Sequence, residues 1–219
     1  ISRLYDVTEG AVLVGDRDVR EYDIETLRNQ VAVVLQKNVL FSGTILDNLR
    51  WGDADASEEE CRRVCRLACA DEFIEKMPEG YHTYIEQGGT NVSGGQRQRV
   101  AIARALTMEP ELLVADEPIA ALDVSIQAQI VNLFRHLQKE HGFSFLFIAH
   151  DLAMVRFLCD RVGVMRQGKL VEVGETKRLF AAPQHPYTKA LLDAAYQIGS
   201  QNLKFCPCPQ RRRFGMEEK

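Results

Sequence analysis

The run Leu112-Leu113-Val114-Ala115-Asp116-Glu117 constrains the fold more than any other feature of the sequence. An apolar run of this length reads as a strand covered on both faces, and two carboxylates emerge at its carboxyl end. A helical pattern over about residues 95–107 precedes it. A second follows, with Ile126, Ile130, Leu133, Phe134 and Leu137 at helical spacing up to Gly142, and residues 145–149 read as another buried strand. Strand–helix–strand order implies right-handed crossovers and a parallel sheet. Ligands bind at the carboxyl ends of such strands. One carboxylate can there hold Mg²⁺ through its water shell while the other orients or deprotonates an attacking water. Taken alone, the pair reads equally well as a strand ending in a polar turn.

The remaining elements fit around that sheet. Residues 11–14 with Gly15-Asp16 read as a strand entering a hairpin, and Asp23 as the N-cap of a short helix through Leu27 with Glu25 in its first turn. Residues 31–35 form a continuous apolar run, expected as a strand covered on both faces. Residues 42–90 are helix and loop: Ser57-Glu58-Glu59-Glu60 fits a capping box, and a second helix over residues 71–77 stops at Pro78 and Gly80. Residues 162–165 and 169–173 flank Gln167-Gly168 as a hairpin, and helices over residues 176–180 and 187–195 precede a basic tail.

Composition excludes several classes. The 219 residues are 46% hydrophobic and 26% charged, as in an ordinary soluble globule, and no apolar run has the length of a spanning helix. A net charge of −4 argues against general nucleic-acid binding, which needs an excess of Lys and Arg. Six cysteines without a secretory signal do not read as a disulfide framework. Cys61, Cys65 and Cys69 recur every four residues, a small-residue packing face on one helix; a metal site would need a fourth ligand.

The strand-end carboxylates do not stand alone. Asn91-Val92-Ser93-Gly94-Gly95-Gln96-Arg97-Gln98-Arg99 places a hydroxyl and two glycines at a helix start, where phosphate approaches backbone N–H groups and a favourable dipole. This run, followed by Asp116-Glu117, resembles the ATP-binding cassette ATPases, the nucleotide-binding domains of ABC transporters. The resemblance covers about residues 1–195, with the family's motifs in order. It implies an α/β fold of the P-loop NTPase (RecA-like) type. That fold has a mostly parallel sheet, a helical subdomain inserted over about residues 42–107 and a partial antiparallel β subdomain. The cassette is expected over residues 1–198, with residues 199–219 as a disordered basic tail.

Residue by residue, Gln36 matches the Q-loop glutamine that senses Mg²⁺ and the attacking water. Ser93, Gly94, Gly95 and Gln96 match the signature that contacts the γ-phosphate held by the opposite subunit. Asp116 matches the Walker B aspartate on the metal, Glu117 the catalytic glutamate, Asp123 with Ala121-Leu122 the D-loop, and His150 the switch histidine. By themselves, Gln36 reads as a solvated loop residue and His150 as an idle helix start. The implied cofactors are ATP and Mg²⁺. The implied partners are a second cassette and transmembrane transporter domains, with no nucleic acid and no membrane span of its own. The implied location is the cytoplasmic face of the inner membrane.

Two departures stand out. No GxxxxGK[ST] phosphate loop occurs, and the sequence opens on Ile1 in what resembles the last turn of the helix after that loop, so an N-terminal truncation is expected. Ile119 and Ala120 replace the hydroxyl residues usual before the D-loop. Parentage also shifts. Residues 1–92, including Gln36-Lys37-Asn38-Val39-Leu40-Phe41-Ser42-Gly43-Thr44-Ile45, resemble multidrug-exporter cassettes. From about residue 108, and above all at His185-Pro186-Tyr187-Thr188, the chain resembles oligopeptide and dipeptide importer subunits. A recombined or joined reading frame is the expectation.

Three readings stay open: an ABC transporter ATPase subunit with little turnover of its own, a non-catalytic cassette lending its signature to a complete partner, and a soluble non-transport cassette protein.

Overall fold

A computed structural model describes residues 1–199 apart from residues 120, 121, 123 and 143. Along the chain it contains β1 (Leu13–Val14), β2 (Arg17–Asp18), α1 (Ile24–Gln30), β3 (Val31–Val34), β4 (Gly43–Thr44), α2 (Ile45–Arg50), α3 (Glu58–Leu67), α4 (Asp71–Ile74) and β5 (Tyr84–Ile85). There follow α5 (Gly94–Thr107), β6 (Leu112–Asp116), α6 (Val124–His141), β7 (Ser144–Ile148) and α7 (Leu152–Leu158). β8 (Arg161–Arg166), β9 (Lys169–Glu175), α8 (Thr176–Ala181) and α9 (Pro186–Gly199) come last. The described chain forms two compact units, one through Cys159 and one from Asp160 onward.

The centre of the first unit is a parallel sheet in the order β3-β6-β7. Ala32, Val34, Leu113, Ala115, Phe145 and Phe147 share the face toward the core. Phe134 of α6 is 1% exposed and meets the rings of Phe145 and Phe147 edge-on, with centroids 5.7 and 4.9 Å apart. The opposite face is only partly covered. At Val31, Leu112 and Val114 it meets Val19 and Leu27 together with Val12, Val14 and Tyr22.

The rest of that face is open, with Val33 44%, Leu35 52%, Leu146 40% and Ile148 50% exposed. The expectation that residues 31–35 are covered on both faces is therefore corrected: an apolar run reports the sum of both faces, and here one is covered only at its start.

Local signals produce the helices. Asp23 accepts from the Thr26 amide at 2.9 Å and opens α1. Ser57 and Glu60 form the capping box of α3. Cys61 and Cys65 are buried, but α3 ends at Leu67 and Cys69 lies beyond it, exposed and at φ +51°, so the three thiols do not share one face. α4 closes at Ile74, short of the expected Met77.

In the second unit, β8 and β9 pair antiparallel around Gln167 (φ +51°) and Gly168 (φ +76°), both left-handed as a two-residue hairpin turn requires. Val164, Leu179 and Leu192 are buried there. Glu172 of β9 accepts from the amides of Gln184 (2.9 Å) and His185 (3.0 Å), fixing the approach to α9.

Candidate functional site

Parallel pairing sets the site. Val34 is level with Ala115, and Asp116 with Ile148, so Gln36, Asp116, Glu117 and His150 all leave the sheet at one end. The structure brings three of them into contact. Gln36 Nε2 donates to Glu117 Oε2 at 2.8 Å, and His150 Nδ1 lies 3.2 Å from Glu117 Oε1. Each oxygen of one carboxylate thus has its own partner, from a different strand end. The Glu117 side chain is 31% exposed and that of His150 72%, so solvent reaches the cluster.

Glu117 also carries backbone strain. Its φ of +44° is left-handed, a conformation that costs a non-glycine residue about 1–3 kcal/mol and concentrates at functional positions. The Glu117 amide donates to the Ile148 carbonyl at 2.8 Å, which holds the turn against β7.

Asp116 ends β6 and is half-buried. A carboxylate there and an amide oxygen from Gln36 are hard donors that suit Mg²⁺, which takes one or two carboxylates and keeps several waters. Among the described residues no cluster of three or more His, Cys, Asp or Glu is arranged for a metal, so a cation here would take most of its ligands from water and substrate.

Ser93 and Gln96 open α5 as a reciprocal cap: Ser93 Oγ accepts from the Gln96 amide at 3.3 Å, and Gln96 Oε1 accepts from the Ser93 amide at 2.9 Å. Both side chains are used within the helix start, leaving the Gly94 and Gly95 amides as its outward donors. A Cβ on Gly95 would stand 3.1 Å from Ile126 Cγ2, so α6 packs closely against that turn. Asp123 and Ala121 lie outside the described residues.

Sequence reasoning missed the contacts that tie Gln36's loop to α5 and to the turn before it. Asn38 Nδ2 donates to Gln98 Oε1 at 2.6 Å, Arg104 Nη1 donates to the Val39 carbonyl at 3.2 Å, and the Gly88 amide donates to the Leu40 carbonyl at 2.9 Å. The available signal was Gln98 itself, a polar residue in register with Ala101, Ile102 and Ala105 on the buried stripe of α5.

Comparison with known proteins gives the class. The ABC transporter family profile matches residues 1–120, and that of the oligopeptide/dipeptide transporter C-terminal region matches residues 171–213. The chain belongs to the ABC transporter family. It is 43% identical over 206 residues to the oligopeptide transport ATP-binding protein OppF of Bacillus subtilis, covering 89% of this chain and 65% of OppF. It is 45% identical over 179 residues to the heterocyst differentiation ATP-binding protein HepA of Nostoc sp., covering 82% of this chain and 29% of HepA.

A bacterial Atm1-family ABC exporter solved with ATP bound superposes with a TM-score of 0.80 at 31% identity, over 91% of this chain and 34% of that one. The chain therefore spans less than two thirds of the length of these relatives. The α/β cassette fold with a parallel sheet and antiparallel pairs is as expected.

One further match to phosphate-loop spacing can be set aside. Gly163, Gly168 and Lys169 have the glycine and lysine spacing, but Leu170 follows and the segment is the β8–β9 hairpin rather than a turn into a helix.

Proposed function

We propose that this chain supplies the hydrolytic face of an ABC transporter ATPase subunit, which binds Mg²⁺-ATP between two cassettes and couples their closure to transport. The single observation carrying this reading is the Glu117 carboxylate held between Gln36 and His150. Glu117 orients the attacking water and takes its proton at a carboxylate oxygen. Gln36 fixes that carboxylate through Nε2, and its Oε1 and the Asp116 carboxylate are the groups that would hold a Mg²⁺ ion. His150 holds the other carboxylate oxygen from Nδ1. When bound, Mg²⁺ would neutralise charge building on the transferred phosphoryl group.

The triphosphate itself needs a cradle of backbone amides and a lysine. No GxxxxGK[ST] occurs among these residues, so turnover is assigned to the cassette completed with that segment. A second reading, that the chain also lends its signature to a facing cassette, is favoured by the Gly94 and Gly95 amides at the start of α5.

Cargo and partners follow from the relatives. Residues 171–213 and the oligopeptide role in the name of OppF support peptide transport. Among the described residues no helix is long and apolar enough to cross a membrane; the proposed partners are transmembrane transporter domains. The exposed Phe41 and Trp51, stacked at 4.5 Å, supply an aromatic patch for them beside Gln36's loop. The change of resemblance within residues 93–106 is attributed to joined reading frames; one uninterrupted native gene in single-molecule sequencing of the locus would remove that attribution.

Nucleotide-dependent association tests the main reading. The completed cassette carrying Glu117→Gln should sediment as a persistent dimer in Mg²⁺-ATP, while the unsubstituted cassette returns to monomer as ATP is consumed. Monomers throughout in both would refute it.

A further inference from the structure

We infer that Gln127 of α6 is a positioning residue for Glu117: it holds the far anchor of the strained turn that aims that carboxylate. The inference rests on the role proposed above for Glu117. The turn has few means of holding itself. Glu117 is left-handed at φ +44°, Pro118 has no amide hydrogen to donate, and Ile119 has no polar side chain. At the near end the Glu117 amide donates to the Ile148 carbonyl at 2.8 Å. At the far end the Ile119 carbonyl accepts twice, from the Leu122 amide at 3.2 Å and from Gln127 Nε2 at 3.1 Å. Those two donors fill both lone pairs of that oxygen, and only Gln127 reaches it from outside the turn.

Helical spacing delivers the donor. Gln127 precedes the buried Ile130 by three positions and Val131, which packs against the core, by four, so its stem lies on the packed side of α6. That helix runs for 18 residues and is fixed against the sheet through Phe134, so the anchor comes from a rigid element and not from another loop. Ile119 is itself only 6% exposed, and little water stands ready to replace a lost donor. From the Ile119 carbonyl to Glu117 is two residues of backbone. A shift at that carbonyl moves the Glu117 oxygens, which must meet Gln36 at 2.8 Å and His150 at 3.2 Å. Misplacing a reacting group by about 1 Å costs up to about 10²-fold in rate.

Three variants and two readouts test the anchor. Gln127→Met keeps the length and helix preference of the side chain and removes the donor. Gln127→Lys keeps a donor, and Gln129→Met makes the same change at an exposed position of the same helix. In hydrogen exchange of the chain itself, Gln127→Met should speed the Leu122 amide about tenfold with the amides of β6 unchanged. Gln127→Lys and Gln129→Met should leave Leu122 within about threefold. In the completed cassette, Gln127→Met should lower kcat about tenfold with KM for ATP unchanged, and Gln127→Lys should recover most of that loss.

An unchanged Leu122 amide in Gln127→Met overturns the inference, as does equal damage from Gln127→Lys or Gln129→Met. Acceleration of β6 together with Leu122 overturns it too, by showing a general loss of stability in place of a local anchor. So does an unchanged kcat in an active cassette. If Gln127→Met does not fold, Gln127→Glu, whose carboxylate also cannot donate, carries the same comparison. A completed cassette with no ATP turnover, or one that keeps its kcat in Glu117→Gln, refutes the role given to Glu117 instead, and exchange at Leu122 still decides whether Gln127 anchors the turn.

Discussion

The Gln36 side-chain amide donates to the Glu117 carboxylate at 2.8 Å across a sequence separation of 81 residues. Parallel register makes this possible, because Val34 and Ala115 are level and the chain leaves both strands at the same edge. Glu117→Gln should lower kcat of the completed cassette by about 10²–10⁴, the range of a lost general base. Gln36→Ala should cost less, since His150 still holds the other oxygen. Phosphate release measures both; equal losses would argue against a carboxylate positioned by two partners.

Gly52 offers a packing test remote from the site. A Cβ there would lie 2.1 Å from Thr107 Oγ1 and 2.2 Å from the Arg104 carbonyl oxygen. The second neighbour is backbone and cannot rotate away. Gly52→Ala should destabilise the first unit by at least about 1–3 kcal/mol in urea titration, and adding Thr107→Ala should not restore it. A neutral Gly52→Ala would show that α2 and α5 do not approach as described.

The thiols should separate by burial. Cys65 is fully buried, and desolvation pushes its thiol up to about 12, whereas Cys69 is exposed. At mildly alkaline pH an alkylating reagent should modify Cys69 before Cys65, with Cys65 reacting only on unfolding. Peptide mapping resolves them, and equal rates would contradict the placement of α3.

Acid should loosen the start of α9. The Gln184 amide first, and that of His185, hold the Glu172 carboxyl below its ordinary range. A carboxylate with a depressed folded pKa adds stability above its unfolded value of about 4.3, and that stability is lost as pH falls through the lower folded value. Protection factors at Gln184 and His185, referred to the intrinsic exchange rate at each pH, should therefore fall on acidification below that range. Glu172→Gln should exchange faster at neutral pH and lose the acid response; an unchanged pH profile would contradict the contact.

Much of this was legible because the signals were local. Ser57 with Glu60 and Asp23 with its first turn fixed helix starts directly, and Ser93 with Gln96 closed the same kind of cap. Gln36, Glu117 and His150 were placed at strand ends by periodicity and order, and parallel pairing brought their side chains together. What local pattern could not supply was tertiary. The exposure of Val33 and Leu35 depends on what covers one sheet face, Cys69 left its stripe because α3 ended early, and Asn38 met Gln98 across a separation of 60 residues.

Mg²⁺-ATP turnover, measured on the 219-residue chain alone and again with a phosphate-binding segment joined to it, bears most directly on the assignment of the Glu117 cluster. Negligible turnover is expected for the chain alone, and restored turnover, abolished by Glu117→Gln, in the joined protein. Turnover by the lone chain that Glu117→Gln abolishes would contradict that assignment.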